Sequence, residues 1–259
     1  MKRVTLAAML LATTALAGAA RAETVAALVG DETIAVVDTA QKKVTKTWKV
    51  SGASGKLVGI DVRPADGMLY GLTADGVIWT IDSSSGKATQ KSKLDMPLPS
   101  GGTITVDFNP AADRLRVIGS NGANLRINVD DGKVTKDGDL KFAEGDAHKG
   151  KTPKIVAGAY TNSMKGAKET TLYDIDATGA VLRQAPPNDG VLNTVGMLGM
   201  SGDGAAFDIV ADGQAGNTGW LMAKDTLYRV DLTSGKGAEV AKIAGVSGTV
   251  RDIAVMPNM

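Results

Sequence analysis

Three aspartates stand at matching places in three similar segments: Gly59-Ile60-Asp61-Val62, Thr105-Val106-Asp107-Phe108 and Phe207-Asp208-Ile209-Val210. Carboxylates are hard oxygen donors. Brought to one axis, and joined by Asn109, Asn162 and Arg63, they could hold a hard cation such as calcium or a polar ligand. A second reading uses the same residues differently. A buried charge needs partners, so a repeated Asp can accept hydrogen bonds from the backbone of a neighbouring segment and fix its spacing. Tyr160 and Ala254 fill the equivalent place in two further segments.

Other motifs carry less chemistry. Gly145-Asp146-Ala147-His148-Lys149-Gly150-Lys151-Thr152 fits the phosphate-loop spacing. That motif works only between a strand and a helix N-terminus. Here Pro153 and the strand-like Ile155-Val156-Ala157 follow, so no nucleotide site is expected. His148 is the sole histidine and lies in a polar loop. It would have to be the base of any Ser-His-acid triad, and no multi-histidine metal site can form. No catalytic residue is assigned. Asp130-Asp131-Gly132 and Asp137-Gly138-Asp139 lack the full calcium-loop spacing and read as turns. Pro186-Pro187-Asn188-Asp189-Gly190 is a rigid polar loop. It offers Asn188 and Asp189 for recognition at a rim, or merely fixes strand register. Met197, Met200, Met222 and Met256 lie in apolar strands and suit gap filling better than soft-metal binding.

The elements that must position these residues are strands. Beyond Glu23 the chain is rich in Gly, Val, Ile and Thr, and a polar turn comes every eight to twelve residues. No helical period is sustained over three turns, which predicts many short antiparallel strands. A repeat is visible. Segments starting near Asp61, Asp107, Tyr160 and Asp208 are 46, 53 and 48 residues apart, and each predicts four strands. A further 46 residues reach Ala254, in a first strand with no blade after it. At the other end Val25–Val29, Thr33–Val37 and Val44–Val50 are strands with no first strand before them. Pairing the two ends gives a five-bladed β-propeller closed by its own C-terminal strand, which removes the exposed edges of an open array. A β-sandwich would not produce a repeat near 47 residues.

The first 22 residues have the layout of a secretory signal peptide: Lys2 and Arg3, an apolar run from Val4 to Ala17, then Ala20-Arg21-Ala22. Cleavage after Ala22 by the general secretion route is expected, leaving residues 23–259 as one domain in the periplasm or outside. Lys2, Arg3 and Arg21 are three of the chain's 29 bases, and the signal region holds none of its 28 acids. The mature chain is therefore slightly acidic, without the basic face that nucleic acid requires. The apolar run from Val4 to Ala17 is too short to span a membrane, and no second long apolar run follows. The absence of cysteine removes thiol nucleophiles, thiolate zinc sites, iron–sulfur clusters and c-type haem.

Several of these segments resemble a bacterial secreted family known as domain of unknown function 4394. The matching residues include Gly59-Ile60-Asp61-Val62-Arg63-Pro64, Asp113-Arg114-Leu115-Arg116, Asn124-Leu125-Arg126, Ala159-Tyr160-Thr161-Asn162 and Thr171-Leu172-Tyr173-Asp174-Ile175-Asp176. The most distinctive runs from Gln184-Ala185-Pro186-Pro187-Asn188 to Val195-Gly196. The resemblance implies a propeller-like envelope domain and no particular activity. Three functions stay open. One is a binding module for a small polar ligand, a metal ion or a protein partner. Another is a metal-dependent hydrolase or lactonase-like enzyme using channel carboxylates. The third is a structural envelope protein.

Overall fold

A computed structural model describes residues 23–214 and 216–256; the expected signal peptide lies outside them. The described residues form 21 strands in five sheets. In chain order these begin with β1 (Thr24–Val29), β2 (Thr33–Asp38) and β3 (Lys43–Lys49). The first complete blade is β4 (Leu57–Val62), β5 (Leu69–Thr73), β6 (Val77–Ile81) and β7 (Ala88–Lys93). The second is β8 (Ile104–Asn109), β9 (Arg114–Gly119), β10 (Asn124–Ile127) and β11 (Val134–Lys136). After β12 (Lys141–Phe142) comes the third blade: β13 (Ile155–Tyr160), β14 (Leu172–Asp176), β15 (Ala180–Gln184) and β16 (Val191–Met197). The fourth is β17 (Ala205–Ala211), β18 (Asn217–Ala223), β19 (Thr226–Val230) and β20 (Gly237–Lys242). Last is β21 (Val250–Met256).

The ring closes as the repeat predicts. β21 pairs antiparallel with β1, from Thr24↔Met256 to Val29↔Val250, and the fifth blade has the order β21-β1-β2-β3. The inner strands neighbour one another in a full circle: β4, β8, β13, β17, β21 and back to β4. The long 53-residue step has a local cause. The segment after β11 carries β12, which adds to β16 in parallel and makes the third blade five-stranded.

The burial pattern follows from blade position. Both faces of an inner or middle strand touch neighbouring blades, so β5 and β13 are buried at every residue. Outermost strands face water, which is why β3 reads Lys-Val-Thr-Lys-Thr-Trp-Lys and β7 Ala-Thr-Gln-Lys-Ser-Lys. The apolar core is split accordingly into five clusters, one at each blade–blade interface. Trp79 and Trp220 and the methionine Met222 sit in these clusters, as gap filling requires. Met197 instead is exposed at the end of β16. No helix among the described residues is long and apolar enough to cross a membrane.

Candidate functional site: the carboxylates at the channel

Inner strands alternate side chains about the backbone, so equivalent residues from successive blades meet near the axis. Asp61 on β4, Asp107 on β8 and Asp208 on β17 do so, each buried, with carboxylate oxygens within 4.8 Å of one another. They border a cavity of about 310 Å³ at one mouth of the channel, together with Ser163, Met164 and Lys165.

Each of these carboxylates also stitches two blades together. The Phe108 amide donates to Asp61 Oδ2 at 2.6 Å, the Tyr160 amide to Asp107 Oδ1 at 2.9 Å, and the Val255 amide to Asp208 Oδ2 at 2.5 Å. Asp61 and Asp208 use their other oxygen to accept from the next amide in their own strands, Val62 and Ile209. Asp107 differs: its Oδ2 accepts no hydrogen bond from the described residues. The repeated Asp thus fixes blade spacing, and the convergence required for ligand binding exists in the same residues.

A fourth carboxylate falls outside the repeat pattern of the sequence. At the fifth blade Ala254 occupies the repeat position, and Asp252 lies one pleat earlier on the same face. Asp252 Oδ2 accepts from the Ile60 amide at 2.9 Å, closing the ring at the matching earlier level. Gly59 makes this possible: a Cβ there would lie 2.9 Å from Asp252 Oδ2 and 2.6 Å from Val106. Between the third and fourth blades no aspartate among the described residues serves. Ser163 Oγ takes that place, donating to the Ile209 carbonyl at 2.8 Å and accepting from the Ala211 amide at 3.2 Å.

Burial dominates the electrostatics. It raises the pKa of Asp61 and of Asp107, and repulsion from Asp208 and Asp61 respectively adds to the rise. Burial also lifts Asp208, to about 6, against the pull of the Val255 and Ile209 amides, and lifts Asp252. Two unit charges 4.8 Å apart repel by about 3 kcal/mol at an effective dielectric constant near 20. Three ionised carboxylates so close need a proton or a cation among them.

The other candidates expected from the sequence lie elsewhere. Asn109 Oδ1 caps its own turn, accepting from the Ala111 and Ala112 amides. Asn162 is held by Asn217, across to the fourth blade, through reciprocal bonds of 2.7 and 2.9 Å. Arg63 forks onto Asp113 at 2.8 and 2.6 Å and also reaches Asp130, tying the first blade to the second. The loop carrying Asn188 and Asp189 contains a short 3-10 turn, Pro187–Asp189, docked on the second blade. Asn188 accepts there from Arg116 Nη2 at 3.0 Å and its carbonyl takes the Gly138 amide, while Asp189 stays exposed. His148 is half-buried, with Nδ1 3.0 Å from Thr194 Oγ1 and 3.3 Å from Asp146 Oδ1. Both partners meet the same ring nitrogen, so the imidazole does not link a nucleophile to an acid as a triad does. The phosphate-loop spacing is followed by β13, not by a helix.

One buried acid stands apart. Asp174 on β14 is fully buried at the interface of the second and third blades, and neither of its oxygens has a hydrogen-bond partner among the described residues. Gly158 leaves it room, since a Cβ there would lie 2.6 Å from Asp174 Oδ1. Arg116, close enough to act on it by charge, spends its donors on Tyr160, Asn124, Asp137 and Asn188. Burial raises the Asp174 pKa to about 8, with Arg116 opposing.

The family described as "Domain of unknown function (DUF4394)" matches residues 33–254. No curated protein matches the chain. Among solved structures, a protein of unknown function from Bacteroides thetaiotaomicron is similar, with 17% identity and a TM-score of 0.55. That alignment covers 92% of this chain but 66% of the other, so this chain spans just under two thirds of that protein's length. A protein of unknown function from Bacteroides caccae aligns at 12% identity and a TM-score of 0.46, over 92% of this chain and all of the other. The first likeness supports the fold and nothing about activity.

Proposed function

Because the chain belongs to the DUF4394 family, whose description assigns no activity, we propose its role from the site: an exported binding module that holds a hard divalent cation at the channel mouth. Asp61, Asp107 and Asp208 are the ligands, and the layout of residues 1–22 supports export with cleavage after Ala22. One observation carries the reading. Asp107 Oδ2 is left over from the blade-stitching bonds, in a residue 6% exposed, and it converges with two other carboxylates at a cavity. A cation offsets the burial that chiefly raises the acids' pKa values, and the repulsion that adds to it at Asp61 and Asp107; oxygen-only donors favour calcium over softer metals.

Calorimetric and thermal-shift titration of metal-free protein with calcium and magnesium tests this. Calcium at a hundred times its Kd adds about 2.7 kcal/mol of stability, worth on the order of 5–10 °C for a domain of this size. Asp107→Asn keeps the acceptor for the Tyr160 amide but replaces the free oxygen by a donor. It is expected to abolish the shift. No calcium-dependent shift in the wild type, or an equal shift in the variant, overturns the reading.

A further inference from the structure

The opposite mouth of the channel is built differently. Three inner strands carry a bulge near their first residues. Val58 is the extra residue between the pairs Leu57↔Thr73 and Gly59↔Leu72, and Val156 between Ile155↔Asp176 and Ala157↔Ile175. Arg251 is the extra residue between Val29↔Val250 and Leu28↔Asp252. Bulges re-aim side chains and are enriched beside functional sites. All three unpaired residues border one cavity of about 700 Å³, with Ile104 and Ala205 completing one residue per blade. Four members of that ring are aliphatic and the fifth is a guanidinium. Along the strands they precede the channel carboxylates by about three residues, or roughly 10 Å, so the two mouths are separate sites.

The charges at this mouth are unequally satisfied. Its acids have lysine partners: Asp31 with Lys56 at 3.0 Å, Glu32 with Lys49 at 2.9 Å, and Asp203 with Lys154 at 3.9 Å. Arg251 is exposed and has no ion-pair partner among the described residues; its charge reaches Asp31, which Lys56 already holds. The volume is that of a small-molecule pocket.

We propose that this mouth binds a small organic anion with an apolar body. Its carboxylate sits on the Arg251 guanidinium and its hydrocarbon covers Val58, Ile104, Val156 and Ala205. Bidentate pairing suits guanidinium and carboxylate, and the aliphatic ring rewards chain length by at most about fourfold in affinity per methylene.

The probes are hexanoate, butanoate and hexylammonium, titrated into the full mature protein by calorimetry. Hexanoate is expected to bind in the low-millimolar range or tighter and butanoate more weakly, with no binding of hexylammonium. Arg251→Gln, at an exposed position, is expected to weaken hexanoate at least about tenfold at unchanged melting temperature. Arg251→Lys falls between, and Asp107→Asn leaves hexanoate affinity unaltered, because it alters only the other mouth. The proposal fails if hexanoate does not bind at about 20 mM, if Arg251→Gln binds it as well as wild type, or if hexylammonium binds equally.

Discussion

Replacing Asp174 by Asn is expected to stabilise the protein at neutral and alkaline pH, which is unusual for a change inside a core. The carboxyl is wholly buried without donors and its pKa lies near 8. In the unfolded chain an aspartate titrates near 3.9. Between these values the folded protein keeps a proton that the unfolded chain has lost. A raised pKa therefore removes stability as pH rises, beginning near 4 and ending near 8. The slope is about 1.4 kcal/mol per pH unit, so the penalty from this one group is on the order of 4 kcal/mol at pH 7. That figure is a ceiling, because water entry and relaxation reduce it. Asn is nearly isosteric and does not titrate, though its unpaired amide costs about 1–3 kcal/mol. The variant is expected to be no more stable than wild type at pH 5 and more stable at pH 8. Its advantage should grow by at most about 4 kcal/mol between the two. Urea unfolding at both pH values, with equal slopes in denaturant, measures this. Curves for variant and wild type that run parallel with pH would refute a protonated Asp174.

Other outcomes follow from the same geometry. Without metal, Asp107→Asn should unfold at a higher temperature than wild type at pH 7, since one of three mutually repelling acids is gone; with calcium the order should reverse, as differential scanning calorimetry would show. Calcium affinity should fall as pH drops from 7.5 to 5, because burial raises the pKa of all three ligands, that of Asp208 to about 6, and protons then compete with the cation; calorimetric titration at pH 5 and 7.5 reads this directly. Arg63→Lys loses the fork onto Asp113 and the reach to Asp130, and should lower stability by about 1–3 kcal/mol in urea titration. Gly59→Ala places a methyl against Val106 and Asp252 and should destabilise by about 1–3 kcal/mol through overpacking, measurable as a lower melting temperature.

The repeat written into residues 57–256, with the unmatched strands at both ends, was enough to determine a five-bladed ring and its mode of closure. Strand alternation and turn chemistry are local properties, and a period of 46 to 53 residues needs no tertiary information to be seen. The same periodicity brought out Asp61, Asp107 and Asp208, because equivalent residues of a ring must meet near its axis. Where a residue left the period, only the tertiary structure could place it. Asp252 lies two residues from its repeat position and reaches the ring because Gly59, far away in sequence, has no side chain. Arg251 borders the far mouth as the extra residue of a bulge in β21, and a bulge leaves no mark in composition. Asn109, Asn162 and Arg63 stood beside the right strands but were drawn off by nearer partners, Ala111, Asn217 and Asp113. A hydrogen bond is decided by the last few ångströms, and those distances exist only after the blades have packed.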